Sequence, residues 1–399
     1  MSQPRKVLHV ITTTTVGGAE VQLARLIAAS DPRRFQHLVV GLTPEGLLAG
    51  EMRRAGAQVL SLDLEPSLHK GVAGLLRLVA IMRNQRPDLV QGWMYHANLM
   101  ALLASRLAGV RPVIWGLRCS DMNLGLYRQG TRLLVKVCAL LSRWPTAIVS
   151  NSQRGVDFHL RQGYPAQTMR VIYNGFRVPA GGDGKRLAQA PRRRLGMAKD
   201  DLLVGHMARF DPMKDHATFL EAATQVARRL RNVHFVLLGL DMTESNPALE
   251  RVLNLPLAGR CHLLGRQENV TPWLAAMDLH VSSSAFGEGL SNAVGESMAA
   301  GIPNVVTQVG DNVLLVGDTG RSVPPRRPAE LAQAMEDILT LPREQRLALG
   351  QRARARIQEK FSQQTMARAF DQLYEELLTS QAAGSLLRPA FWPQPGGNS

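Results

Sequence analysis

Residues 282–301, SSSAFGEGLSNAVGESMAAG, read as the end of a strand, a loop carrying Glu288 and a helix carrying Glu296. Gly287 and Gly289 flank the first carboxylate, so the loop backbone can come close to a ligand. The amides of Gly289, Leu290 and Ser291 then stand at a helix N-terminus, which attracts phosphate. Ser291 or Asn292 can cap that helix, Ala293, Gly295, Ala299 and Ala300 allow close packing, and Gly301 ahead of Ile302-Pro303 ends it. A carboxylate repels phosphate. With the amides on phosphates, the two glutamates are left for hydroxyls, one on a sugar and the other on a ribose.

Outward from this block, short apolar runs alternate with helical stretches along almost the whole chain. VLHVI, HLVVGL, QVLSL, DLVQG, PVIWG, TAIVS and MRVIY punctuate the first half, and LLVGHMA, VHFVLLG, CHLLG, DLHVS and NVV the second. Repeated strand-helix units predict a parallel, doubly wound sheet. The expected fold class is therefore α/β, with two tandem Rossmann-like domains facing each other across a cleft. The first domain is expected over 1–175 and the second over 176–362. A helix over 363–380 is expected to pack back on the first domain, ahead of an irregular tail, 381–399. Residues 176–200, with Gly181, Gly182, Gly184 and the run Arg192–Arg194, read as a linker and a short basic helix.

A chain of 399 residues can bury two ordinary cores. Cys119, Cys138 and Cys261 are scattered and odd in number, which argues against a disulfide framework or a zinc site and for a reducing compartment. No apolar run approaches the ~18 residues of a membrane span, so a soluble, cytoplasmic chain is expected. The net charge of +15 is uneven: residues 1–175 hold 21 Lys and Arg against 9 Asp and Glu, the remainder 26 against 23. A basic first half suits an anionic neighbour, whether lipid, acceptor or nucleic acid, or is simply a soluble basic surface.

Two further strand-to-helix turns carry candidate chemistry. ITTTTVGGAE places Gly17-Gly18 at a helix start, without the spacing of a dinucleotide fingerprint or a Walker loop. GHMARFDPMKDH places Arg209 just after a strand and Lys214 five residues on. Such a pair can neutralise a departing diphosphate without a metal ion. No Asp-x-Asp, His-x-x-x-His or Cys-x-x-Cys occurs, so no metal site is expected.

Gly-Gly-x-Glu, Arg209 with Lys214, and Glu288-x7-Glu296 followed by Ser-Met-Ala-Ala-Gly-Ile-Pro occur in that order. Together they resemble a retaining glycosyltransferase of family 4 with the GT-B fold, over residues 5–380. The resemblance implies a transferase that moves a sugar from a nucleotide diphosphate, expected to be a UDP-sugar, to a hydroxyl of a glycan or lipid-linked acceptor. It implies that Glu288 holds donor-sugar hydroxyls and Glu296 the ribose, that Gly289–Ser291 meet sugar and phosphate, and that Arg209 and Lys214 grip the diphosphate. Backbone near Leu264–Arg266, including Gly265 and Arg266, is implied to read the base. The donor is substrate, and no cofactor or metal is implied. Retention also comes from the resemblance: the acceptor hydroxyl attacks the face the diphosphate leaves, and a phosphate oxygen takes its proton.

The sequence departs from the family at its first-domain histidine, where PVIWGLRCSD puts Arg118; His96, in QGWMYHANLM, is the other candidate. Asp121 either orients Arg118, meets the acceptor, or caps a loop. Helix 126–143 sets Arg128, Arg132 and Lys136 along one edge, either as a solvated face or as a place to rest on the anionic inner face of a membrane. Alternatives remain. A GT-B epimerase or phosphorylase is one rival, the epimerase being disfavoured by the Glu-x7-Glu pattern; a non-catalytic binder of nucleotide or of nucleic acid is another, and no interleaving of aromatic and basic residues supports the nucleic-acid reading.

Overall fold

The computed structural model describes residues 3–64, 68–120, 125, 129–179, 184–249, 257 and 259–382. Seven strands come from the first half: β1 (Arg5–Ile11), β2 (Phe35–Gly41), β3 (Gln58–Ser61), β4 (Leu89–Trp93), β5 (Val113–Leu117), β6 (Ala147–Ser150) and β7 (Met169–Val171). Six come from the second: β8 (Leu202–Met207), β9 (Val233–Leu238), β10 (Cys261–Leu263), β11 (Leu279–Ser282), β12 (Asn304–Thr307) and β13 (Gly320–Val323). Both sheets are parallel throughout, ordered β3-β2-β1-β4-β5-β6-β7 and β10-β9-β8-β11-β12-β13. Helices cover both faces, which is why β4 and β5 are buried at every position instead of alternating.

Each sheet reverses its strand order once, between β1 and β4 in the first and between β8 and β11 in the second. Such reversals open a crevice outside the strands' carboxyl ends. The turns and helix starts that follow these four strands carry Gly17-Gly18, Met94–His96, Arg209 with Lys214, and Glu288.

The chain crosses between the halves twice, side by side. Phe176 and Ser362 form a bridge, with Phe176 N–H donating to Phe361 O at 2.8 Å and Gln363 N–H to Phe176 O at 3.0 Å. Phe176 packs in a second-half core with Leu290, Val294 and Met298. Beyond the second crossing, helix Gln363–Ala382 returns to the first half, where Met366, Phe370, Tyr374 and Leu377 share a core with Trp93 and Phe35. Tyr374 Oη donates to Gln91 on β4 at 2.5 Å, so the buried hydroxyl has an acceptor.

Several elements differ from expectation. Helix Asn312–Val316 and strand β13 lie where no element was expected; five- and four-residue elements are too short to show a period. The basic helix is Gly184–Arg194, which continues through Pro191 and is anchored by Arg192 to Asp278 at 2.5 Å. Helix 126–143 is described as Gln129–Leu141. Asp121, Arg128, Gly181, Gly182, residues 250–256 and the tail from 383 lie outside the described residues.

Phe370→Ala is expected to destabilise the protein by about 3–5 kcal/mol in denaturant titration. No loss of stability would mean that the returning helix is not part of the first-half core.

Candidate functional site

Lys214 is aimed by its own turn. Asp211 caps the 3-10 turn Pro212–Lys214, accepting from Met213 N–H at 2.9 Å, and Asp215, at φ 46°, caps the following helix His216–Arg229 through Thr218. Ser283, just past β11, donates its hydroxyl to the Lys214 carbonyl at 2.8 Å. That proton is then committed, so His206 Nε2–H is the donor in its 3.0 Å contact with Ser283 Oγ. Burial and the neighbouring His216 hold His206 neutral, well below the usual imidazole range. The Lys214 ammonium thereby reaches the Glu288 carboxylate, to which Ser284 Oγ also donates at 2.8 Å.

Glu288 is buried, its side chain 9% exposed. Burial alone would raise its pKa, but Lys214 and Ser284 outweigh that and hold it below the ordinary carboxylate value. The loop's conformation depends on Gly287, at φ 80°, where a Cβ would also lie 2.6 Å from Met213 Sδ. Arg209 stands nearby but points to solvent, bound to Asp211 at 2.8 and 3.0 Å.

Across the crevice the first half closes directly on this loop. Cys119 bridges to Glu288, Ser120 Oγ donates to the Glu288 carbonyl, and Asn174 Nδ2 donates to Leu290 O at 3.1 Å. Asn292 accepts from Asn174 and from Gln22, both at 2.9 Å, and donates to Gly18 O at 3.2 Å. Glu296, on helix Asn292–Ala299, pairs with Arg25 at 2.6 Å. Asp311 accepts from Gln153 and Arg154 N–H at 2.6 and 3.0 Å, filling the open amides of helix Gln153–Arg161.

Glu288, Lys214, Gly17, Gly18, Gly289, Leu290, Ser291 and Glu296 are therefore brought together, with Arg209 at the margin. Ser291 sits at the cap position of its helix without a side-chain cap, and its N–H goes to Asn312 Oδ1 at 3.2 Å. Gly265, at φ 64°, follows β10, but its N–H and carbonyl are already bonded to Met242 O and Gly239 N–H, and Leu264 N–H to Leu237 O. Of the stretch Leu264–Arg266, expected to read a base, the exposed Arg266 is the most open.

His96 is exposed on helix Met94–Ala108, two residues after Met94 at φ 70°, and desolvation by its surroundings lowers its imidazole pKa. The left-handed Met94 makes the strand-to-helix turn sharp, a strain typical of functional turns. Arg118 is turned inward: its guanidinium lies 4.6 Å from the centre of the Trp93 ring and donates to Asn174 Oδ1 at 2.7 Å. Burial lowers its pKa to about 10, so it stays charged, while its Nε and Nη2 have no hydrogen-bond partner.

Sequence reasoning missed Gln22, Arg25, Ser120, Asn174, Asn292 as a bridge, and Asp311. Gln22 and Arg25 did leave a signal, being polar and one turn apart on a helix that is otherwise mostly buried. The others leave none, because they act between segments more than a hundred residues apart.

Two family models match in tandem, Glycosyltransferase Family 4 over residues 16–178 and Glycosyl transferases group 1 over 201–340. EpsF of Bacillus subtilis (strain 168) is 24% identical over 316 residues, 77% of this chain and 80% of that protein. The UDP-Gal:alpha-D-GlcNAc-diphosphoundecaprenol alpha-1,3-galactosyltransferase of Escherichia coli is 22% identical over 63% of this chain and 65% of its own length. The crystal structure of Anabaena Alr3699/HepE in complex with UDP and glucose superimposes with a TM-score of 0.79 at 22% identity, covering 94% of this chain and 100% of that one, so the two share the GT-B fold.

Glu288, with its pKa lowered, contributes stability that is fully present above the ordinary value of 4.5 and is lost as pH falls through its folded pKa. Glu288→Gln leaves Lys214 unpaired, with an expected cost of about 3–5 kcal/mol near neutrality. Unfolding midpoints followed from neutral pH downward are expected to converge for the two proteins in acid; a constant gap would separate the pair from the acid response.

Proposed function

The chain belongs to the group 1, family 4 glycosyltransferases, and we propose that it moves a hexose from a UDP-sugar to a hydroxyl of a glycan or lipid-linked acceptor, with retention and without a metal ion. What carries this reading is the meeting of Glu288, Lys214 and Glu296 at the second sheet's crevice, closed over by the first sheet's loops. The donor class is supported by the UDP and glucose of the Anabaena complex. The printed name of the Escherichia coli relative, a diphosphoundecaprenol-directed enzyme, supports the acceptor class.

In this reading the bond between the sugar's anomeric carbon and the diphosphate oxygen breaks, and a bond to the acceptor oxygen forms on the same face. The acceptor's proton passes to a leaving phosphate oxygen, and UDP departs. Lys214 moves from its ion pair toward the diphosphate, and Arg209 joins it, so the growing charge meets two cations. Glu288 takes up sugar hydroxyls, which a carboxylate held ionised binds as an acceptor. Glu296 takes the ribose hydroxyls from its place beside Arg25, and backbone at Arg266 meets the base. Gly17 and Gly18 line the opposite wall. His96 stands on the acceptor side, and Arg118 acts through Asn174 as a positioning residue.

With UDP-glucose and an extract of lipid-linked glycans, Glu288→Ala and Lys214→Ala are each expected to lower turnover by about 10²–10³-fold while the fold is kept. Full activity in both would remove the site, and loss of wild-type turnover in chelator would remove metal independence. Glu296→Ala is expected to weaken UDP by about tenfold, the worth of a charged hydrogen bond, and to leave 2′,3′-dideoxy-UDP unchanged. An equal loss for both nucleotides would exclude ribose as its partner.

A further inference from the structure

Arg118 follows β5 at the carboxyl end of the first sheet, and its guanidinium is held from two sides: the Trp93 ring centre lies 4.6 Å away, and Asn174 Oδ1 accepts from Nη1 at 2.7 Å. Nε and Nη2 are buried and have no hydrogen-bond partner. These two nitrogens make up one edge of the guanidinium, whose parallel N–H groups match the two oxygens of a carboxylate. Burial lowers the pKa only to about 10, so the group is charged at neutrality, and a charged edge shut away from water without an acceptor is costly. The carboxylates of the crevice are already committed: Glu288 to Lys214, Glu296 to Arg25, and Asp311 to the amides of Gln153 and Arg154. What the edge lacks is an acceptor from outside the chain.

The next residues along the chain fix the place of that acceptor. Cys119 bridges Glu288 and Ser120 donates to its carbonyl, while Asn174 donates to Leu290 O at 3.1 Å. Asn151 donates to the same Asn174 Oδ1 at 3.4 Å; its own Oδ1 has no partner, and a Cβ on Gly289 would run into it. Arg118 therefore stands on the first-half wall, across from Lys214, and is tied through its neighbours to the loop 288–290 that the proposed reaction gives to the donor sugar.

We propose that Arg118 selects a donor whose sugar carries a carboxylate, a UDP-hexuronic acid. Nε–H and Nη2–H each donate to one carboxylate oxygen, and Nη1 stays on Asn174. Lys214 and Ser284 hold Glu288 against the second half, so the Glu288 carboxylate and the sugar's carboxylate meet different cations on facing walls. The sugar's carboxylate takes no part in the bond changes of transfer; it is a charged anchor that a neutral hexose, with a hydroxymethyl group at that carbon, does not offer. The inference rests on the reading of the chain as a UDP-sugar transferase and names the sugar class.

The test is calorimetric titration of the full chain, without acceptor, with UDP, UDP-glucose and UDP-glucuronic acid, the two sugars differing only at C6. The wild-type chain is expected to bind UDP-glucuronic acid about 10–100-fold more tightly than UDP-glucose, as a charged hydrogen-bonded contact is worth. Arg118→Gln is expected to bring that ratio down to about twofold or less, and Arg118→Lys, which keeps the charge but not the paired edge, to leave it in between. A wild-type ratio of one or below overturns the proposal and requires no variant to fold. An unchanged ratio in Arg118→Gln overturns it too, by laying the preference on the positive charge of the half as a whole. So does an equal loss for UDP and UDP-glucuronic acid in that variant, which would put Arg118 on the diphosphate. Binding of UDP and UDP-glucose without the preference sinks the uronic donor and leaves the transferase reading standing, whereas binding of none of the three overturns both.

Discussion

Keeping Glu288 ionised inside a nearly closed crevice is the constraint on which the site depends. Removing a carboxylate from water is costly unless a cation and hydrogen bonds replace the solvent. Lys214 and Ser284 are those replacements, and their placement explains the surrounding sequence. Asp211 and Asp215 each cap a turn so that the Lys214 backbone is fixed at both ends; Ser283 holds its carbonyl, and His206 holds Ser283. Gly287 is there because the loop must turn left-handed against Met213. A short run of the chain thus spends several polar residues to position one ion pair.

The same loop ties the two halves together. Contacts across the crevice are mostly polar: Ser120 to the Glu288 carbonyl, Asn174 and Gln22 to Asn292, Arg25 to Glu296, Asp311 to the amides at 153 and 154. Polar contacts across a cleft exchange readily for water or ligand at little net cost, whereas a dry apolar interface would not. The apolar ties lie elsewhere, in the helix Gln363–Ala382 buried in the first core and in Phe176 buried in the second. The two halves are thus fastened by apolar packing at the chain crossings and by exchangeable hydrogen bonds across the crevice.

Most of the fold was legible because its signal is local. Runs such as VLHVI and LLVGHMA are buried on both faces of parallel sheets, and the helices between them carry their own stops, so type and order follow from composition. The exceptions, Asn312–Val316 and Gly320–Val323, are too short to carry a period. The loop and helix that hold Glu288 and Glu296 were legible because Gly287, Glu288 and Glu296 lie within one strand-loop-helix unit. The inward turn of Arg118 was not, because its direction is set by Trp93 and Asn174, which only the folded sheet brings near. Nor was the bond pattern at Gly265, where neighbouring strand ends consume amides that the sequence leaves open.

The charge asymmetry acquires a structural meaning when the partners are traced. In the second half, Lys214, Arg209, Arg192 and Arg346 are matched by Glu288, Asp211 and Asp278 of that same half. In the first half, Arg118 meets an amide and an indole, Arg106 an indole, and Arg25 a carboxylate that belongs to the other half. These cations of the second half are answered by carboxylates of the same half. The first half forms pairs of its own, Arg5 with Asp88 and Arg53 with Glu45, but its 21 Lys and Arg outnumber its 9 Asp and Glu, so most of its positive charge has no carboxylate of the same half to meet. An anion approaching this half would feel that excess, since charge of one sign on a low-dielectric body acts beyond contact distance and is cut off only by the Debye length. The two halves thus differ in their electrostatics as well as in their folds' contents, short-range ion pairs prevailing in the second and an excess of positive charge in the first.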